Sequence, residues 1–212
     1  MLRKLLFSLL LLLATCTQAQ PIDSLFAAVP REVLPLLDTT ARLDLRDLSN
    51  SRLTAKTENI FGGQAELNLK TDDFLELTTS AVGRWQMKLM DHPQHPFICV
   101  VRLLNAGDTY SAVELYDRQW KPVLAAQVPA PTLQQFFAPS AALSTFRTEQ
   151  LQALLQRQPV VAEWTGQGRC LRFAVSLGGL SQEDRRDAAL CLHSVCYEWK
   201  KATFEEVKEE IR

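Results

Sequence analysis

A surplus of positive charge is the first thing this chain lacks. It carries 23 lysines and arginines against 24 aspartates and glutamates, so it has no reserve of cations for a phosphate backbone or an anionic bilayer, and no nucleic-acid partner is expected. Cysteine is sparse. Cys16, Cys99, Cys170, Cys191 and Cys196 in 212 residues fall far below the density of a disulfide-dependent scaffold, so a hydrophobic core must do most of the stabilising. The sequence contains no Gly-x-Ser-x-Gly, no His-Glu-x-x-His, no phosphate-cradling glycine loop and no dinucleotide fingerprint. No catalytic residue, metal or cofactor can therefore be assigned from a motif. After residue 20 nothing approaches the roughly 18 consecutive apolar residues of a membrane helix, and no transmembrane segment is expected.

What is present begins with a leader. Arg3 and Lys4 precede an apolar run from Leu5 to Ala14 and then Thr17-Gln18-Ala19, the order of a secretory signal peptide. Cleavage after Ala19 leaves 193 residues starting at Gln20, with 21 basic residues against 24 acidic. A rival reading makes Cys16 an acylated lipoprotein cysteine, but Thr15 stands where that motif usually has a smaller residue, so the lipid anchor is the less favoured alternative. The expectation is an exported protein, periplasmic or secreted.

The stretch from Gln64 to Trp120 alternates as a half-buried sheet does. Ala65, Leu67 and Leu69 share one parity in Gln64 to Leu69, Leu75 and Leu77 in the strand from Asp73 to Thr79, and Trp85, Met87 and Leu89 in Arg84 to Met90. Phe97 to Leu104 is almost continuously apolar, as a strand covered on both faces would be, and Tyr110 to Asp117 follows the turn Asn105-Ala106-Gly107-Asp108. Short turns throughout predict an antiparallel meander. Before it, Asp23 or Ser24 starts a short helix to Val29, Pro30 opens a second to Leu37, Asp38 to Leu48 reads as helix and Thr54 to Ile60 as strand.

Pro129, Pro131 and Pro139 interrupt residues 128–145, which read as a connecting segment between a sheet lobe at 20–127 and a smaller α+β C-terminal lobe at 146–212. In the latter, Phe146 to Gln158 reads as a helix. Val160, Ala162 and Trp164 alternate in one strand, and Leu171, Phe173, Val175 and Leu177 in the next. Ser181 caps a helix expected to run to Tyr197 on the stripe Ala188, Leu192, Val195 and Trp199, and Thr203 with Glu206 reads as the capping box of a last helix, Phe204 to Ile211. The whole is α+β: an antiparallel meander with helices packed on it, followed by the smaller lobe.

Chemistry-bearing clusters are few. Cys191, His193 and Cys196 have ligand-like types, but at helical geometry Cys191 and Cys196 lie about 140° apart and the three do not converge on a metal. That geometry also forbids a Cys191–Cys196 bridge and leaves a Cys170 bridge as the open option. His92 and His95 share a proline-rich loop, Cys99 sits within an apolar strand that would suppress its thiolate, and Asp72-Asp73 is ordinary turn chemistry. Of the four tryptophans, Trp85, Trp120, Trp164 and Trp199, most are expected in the core; Trp85, Trp120 and Trp164 are the candidate binding-surface residues, since an indole exposed on a sheet face marks a partner site.

Several strings, Leu34-Pro35-Leu36-Leu37, Ala41-Arg42-Leu43-Asp44-Leu45, Phe61-Gly62-Gly63, Asp72-Asp73-Phe74-Leu75-Glu76-Leu77, Met87-Lys88-Leu89-Met90, Phe97-Ile98-Cys99-Val100 and Tyr197-Glu198-Trp199, resemble an uncharacterised family of secreted proteins from anaerobic bacteria of the gut and mouth. The resemblance spans most of the mature chain and implies export and a whole-length domain. It implies no activity. Two functional classes stay open: a non-enzymatic module binding a protein, peptide or glycan outside the cytoplasm, and, as the alternative, a hydrolase with catalytic residues scattered on loops.

Overall fold

The structure is a computed structural model describing residues 21–93, 96–123 and 128–207. The expected leader with Cys16, and His95, lie outside the described residues. The fold is α+β, built on two antiparallel sheets.

The alternating block forms the larger sheet. Strands β1 (Lys56–Glu58), β2 (Gln64–Lys70), β3 (Phe74–Thr78), β4 (Gly83–Met90), β5 (Phe97–Ala106) and β6 (Asp108–Asp117) follow one another in space in chain order, every pair antiparallel. Parity divides their side chains into two cores. Leu75, Leu77, Trp85, Met87, Ile98 and Val100 pack with Ile22, Leu25 and Phe26 of α1 (Ile22–Ala27), with Ala41 and Leu45 of α2 (Thr39–Asn50), and with the turns between these helices. Phe74, Met90, Phe97, Cys99, Val101 and Leu103 point the other way, into a second core. The long apolar run of β5 is thus buried on both faces, as its composition requires.

The second core is closed by the smaller sheet. Its strands β7 (Val160–Thr165), β8 (Cys170–Val175), β9 (Val195–Lys200) and β10 (Thr203–Val207) lie in the order β10-β9-β8-β7. They contribute Ala162, Trp164, Leu171, Phe173, Val195 and Tyr197, joined by Phe136 from the one-turn helix α3 (Leu133–Phe136). Helices α4 (Thr145–Leu155) and α5 (Gln182–Ala189) meet through Leu151, Leu155 and Ala188. Arg147 binds Asp184 at 2.8 Å and Asp187 at 2.7 Å across that contact.

Polar groups lock the two sheets together. Gln86 is fully buried on β4, where its Nε2 donates to the Trp164 carbonyl at 3.0 Å and to Glu76 at 2.6 Å, while its Oε1 accepts from the Trp164 N–H at 2.8 Å. Ser111 Oγ accepts from the Ala162 N–H at 2.7 Å. These side chains satisfy edge groups of β7 that would otherwise be available for pairing with another strand. Where the β5–β6 turn meets the loop after β8, Asp108 accepts from the Ser176 hydroxyl, from Thr109 N at 2.9 Å and from Gly178 N at 3.2 Å.

Several expectations need correction. The helix starting at Ser181 ends at Ala189, and Val195 to Lys200 is a central strand instead. Val195, Tyr197 and Trp199 face the inter-sheet core with period two, so the apparent helical stripe through Val195 and Trp199 was a coincidence of spacing. Thr203 to Val207 is a strand as well; the hairpin before it turns at Lys201 and Ala202, with φ of 50° and 66°. A two-residue turn of that kind usually shows Asn or Gly, and here neither is present to announce it. Residues 30–37 form successive turns, with the N–H groups of Val33 and Leu34 both on the Pro30 carbonyl. With residues 195–200 extended, Cys170 and Cys196 lie on adjacent strands, 5.7 Å apart at Cα, and form a disulfide. No helix among the described residues is long and apolar enough to cross a membrane.

A polar cleft between the two sheets

One end of the molecule gathers the β2–β3 turn, the β7–β8 turn, the C-terminal end of β4 and the C-terminal half of β9. In the first turn Thr71 Oγ1 accepts from Phe74 N at 3.0 Å, and Asp73 holds Lys88 of β4 at 2.5 Å. The second turn runs through three consecutive left-handed residues, Gly166, Gln167 and Gly168, at φ of 59°, 61° and 81°. Gly168 is required twice over: besides its φ, a Cβ there would lie 2.7 Å from the Phe74 ring. The two turns are thereby pressed together, and Arg169, whose Nε donates to the Gly166 carbonyl at 3.1 Å, stands exposed between them.

Two hollows open beside Arg169. One, of about 590 Å³, is lined by Thr71, Asp73, Gln167 and Arg169; the other, of about 250 Å³, by Asp73, Lys88, Asp91, Arg169, Glu198 and Trp199. They adjoin at Asp73 and Arg169, which line both. Trp199 is partly exposed at its wall, held by its indole N–H on the Asp91 carbonyl at 2.7 Å and by edge contacts with Phe97 and Phe204 at 5.1 and 5.0 Å between ring centroids. Glu198 binds Lys200 at 2.5 Å. Cations and carboxylates therefore alternate around a fixed aromatic, an arrangement able to donate to and accept from a polar ligand while one apolar surface packs against it.

The sequence-derived candidates lie elsewhere. Trp85, Trp120 and Trp164 are between 2% and 7% exposed, which leaves no free ring face for a partner. Trp85 packs on Phe26, Trp120 on Tyr116 and Trp164 near Phe204. The indole at the cleft is Trp199, which the sequence had assigned to a helix. Cys99 is fully buried, and burial pushes its thiol up to about 12, far from a nucleophile's range. Cys196 is occupied by its disulfide, Cys191 is buried and His193 exposed. Among the described residues no three of His, Cys, Asp and Glu are grouped to hold a metal ion. Asp72 points to solvent, while Asp73 belongs to the cleft.

A family model, described as "Protein of unknown function (DUF3256)", matches residues 14–204. A solved structure of a domain of an uncharacterized protein from Porphyromonas gingivalis W83 aligns with a TM-score of 0.71 over 88% of this chain and 98% of that one, at 23% identity. At that identity the likeness concerns the fold alone. No curated protein matches the chain.

Proposed function

The chain belongs to the DUF3256 family of proteins of unknown function, so no activity comes to it by kinship, and we propose from its own residues that it is an exported binding module. The leader at residues 1–19, and the resemblance to secreted proteins of anaerobic gut and oral bacteria, support export. The observation that carries the binding reading is the cleft around Arg169 and Trp199. Arg169 is exposed, its Nε on the Gly166 carbonyl and no carboxylate bound to it among the described residues, and its neighbours offer both donors and acceptors beside an indole. Such a lining suits a polar, extended ligand of glycan or peptide type.

A second reading has one specific observation in its favour. Asp73, Asp91 and Glu198 bring three carboxylates to one hollow, and carboxylate pairs hydrolyse glycosidic bonds. Two of the three already hold an ammonium group, on Lys88 and Lys200, which favours the binding role. A glycan and peptide array, followed by calorimetric titration of hits, separates the two. Binding that disappears in Arg169→Ala at unchanged Tm, with no product released, supports the module. Turnover abolished by Glu198→Gln or Asp73→Asn in a folded protein assigns a hydrolase instead.

A further inference from the structure

The opposite end of the molecule has the reverse character. Three loops meet there: residues 59–63 between β1 and β2, 79–83 between β3 and β4, and 104–110 around the β5–β6 turn. Backbone and side-chain bonds join them in sequence, Asn59 Nδ2 donating to the Thr79 carbonyl at 2.9 Å and Asn105 N to the Val82 carbonyl at 2.8 Å. Five large apolar side chains stand out from these loops, Ile60, Phe61, Val82, Leu104 and Tyr110, each between 43% and 81% exposed. Leu104 and Tyr110 are cross-strand partners, and Leu104 lies open because its neighbour on β4 is Gly83, which has no side chain to cover it. Helix α2 packs over β1 and β2, and on the same face Leu104 and Tyr110, next to the β5–β6 turn, stay exposed.

Charge is almost absent from this pole. Residues 59–65, 77–83 and 103–113 contain no ionisable group besides Asp108 and the Tyr110 phenol, although 22% of the chain is charged. Asp108 is turned inward to Ser176 and Gly178. The nearest cations on the rim are already neutralised within the chain: Arg102 by Glu114, which also accepts from the Tyr116 hydroxyl at 2.6 Å, and Arg84 by Glu163 at 2.8 Å. The result is an apolar centre within a polar rim that holds these ion pairs and the exposed Glu58, the anatomy of a protein interface.

From this we propose that the patch formed by Ile60, Phe61, Val82, Leu104 and Tyr110 is a self-association surface that docks a second copy of this chain about a twofold axis. Two identical faces can meet here because the centre of each, Ile60, Phe61, Val82, Leu104 and Tyr110, carries no charge, the exposed carboxylate of Glu58 standing at the rim. Five side chains at these exposures amount to roughly 500 Å² of apolar surface, the size of the largest patch on a typical monomer. Two such patches bury about 1,000 Å² together, at the lower bound for a specific interface, so the dimer is weak, with a Kd of order 10–100 μM. A bilayer fits less well. Leu104 and Tyr110 lie on the sheet face beside Arg102 and Glu114, so seating them among acyl chains would drag an ion pair out of water.

Sedimentation velocity of the protein as isolated from its host, over a concentration series from about 1 to 500 μM, tests this. The expected result is a monomer–dimer equilibrium that weakens at least tenfold in Phe61→Asp and in Tyr110→Asp, and is unchanged in Phe146→Asp, an exposed phenylalanine on α4. Circular dichroism and melting temperature confirm that each variant is folded. A monomer across the whole range would overturn the proposal, as would a dimer indifferent to Phe61→Asp and Tyr110→Asp or one equally lost in Phe146→Asp. Flotation with phosphatidylcholine vesicles supplies the remaining arm: vesicle binding by a monomeric protein, abolished in Phe61→Asp, would reassign the patch to lipid.

Discussion

Replacing Gln86 by leucine removes the amide that joins the two sheets while keeping an unbranched-to-branched volume of similar size, so the loss is of hydrogen bonds and not of bulk. In the native protein this side chain is 0% exposed and returns both backbone groups of Trp164, at 2.8 and 3.0 Å, with a further bond to Glu76 at 2.6 Å. Leucine leaves the Trp164 N–H and carbonyl desolvated and unpaired, because β8 occupies the other edge of β7 and offers them nothing. Each orphaned buried group costs about 1–3 kcal/mol. Their sum, about 2–6 kcal/mol, is offset in part by the apolar burial of leucine, so a net loss of about 3 kcal/mol is expected. For a chain of this length that lowers Tm by roughly 6–12 °C. Urea unfolding followed by tryptophan fluorescence reads it directly, with the midpoint falling and the m-value unchanged. A destabilisation below about 1 kcal/mol would show that water or a shifted neighbour satisfies Trp164, and that the clasp does not hold the sheets together.

Three further outcomes follow from single positions. A Cβ on Gly178 would sit 2.4 Å from the Gly107 carbonyl and 2.7 Å from Asp108 Cα, so Gly178→Ala should cost about 2–3 kcal/mol in thermal melts, against about 1 kcal/mol for Gly62→Ala, which has a left-handed φ of 75° but open space around it; the reverse order would contradict the close approach of the two loops. The Ser176 hydroxyl, aided by the N–H groups of Thr109 and Gly178, holds the Asp108 carboxyl below its ordinary value. A depressed folded value stabilises above the unfolded one near 3.8 and is lost as pH falls through the folded one, so Asp108→Asn should flatten the decline of stability below about pH 4, and parallel acid limbs for the two proteins would refute the role. Reduction of Cys170–Cys196, 26 residues apart, should lower stability by about 3 kcal/mol on chain-entropy grounds, read as a fall in Tm that Cys170→Ser with Cys196→Ser reproduces; an unchanged melt would remove the staple from the account of the smaller sheet.

The larger sheet was legible because its strands bury one parity at a time. Gln64 to Lys70, Gly83 to Met90 and Phe97 to Ala106 begin and end within two residues of where alternation and turn residues place them. The smaller sheet was half hidden. Val195-Cys196-Tyr197-Glu198-Trp199 has the same alternation, but a well-capped helix starts at Ser181 just upstream, and apolar residues at 188, 192, 195 and 199 satisfy a helical period by chance. The hairpin that follows turns on Lys201 and Ala202 in left-handed conformations, and nothing in their chemistry forecasts that. Gln86 shows a different limit. Flanked by Trp85 and Met87, and sharing its parity with Arg84 and Lys88, it has the profile of a solvent-facing position. It is buried because Trp164, 78 residues later, lies over it. Alternation tells which residues share a face and says nothing of what arrives to cover that face. The same gap explains the tryptophans: Trp85, Trp120 and Trp164 were eligible for a surface by type and were claimed by the two cores, while Trp199 reached the cleft through a strand that was read as helix.

The antiparallel meander also accounts for the separation of chemistry between the two ends. In such a sheet every second turn falls at the same end, so the β2–β3 turn and the close of β4 gather at one pole, the β1–β2, β3–β4 and β5–β6 turns at the other. The smaller sheet, clasped to the larger through Gln86 and Ser111, adds its β7–β8 turn to the first pole and the loop holding Gly178 to the second. Ionisable side chains concentrate at the first, in Asp73, Lys88, Asp91, Arg169 and Glu198, and are sparse at the second. A ligand in the cleft and a second copy on the loops therefore do not compete for surface. Two chains joined through Phe61 and Tyr110 would carry their clefts at the far ends of the pair, facing away from each other. That geometry suits a ligand with repeated binding sites, such as a polymeric glycan, better than a small one: after the first cleft engages, the second is presented at a raised effective concentration to neighbouring repeats or neighbouring chains. For such a ligand a micromolar interface would suffice, because a polymer would itself concentrate the copies bound to it.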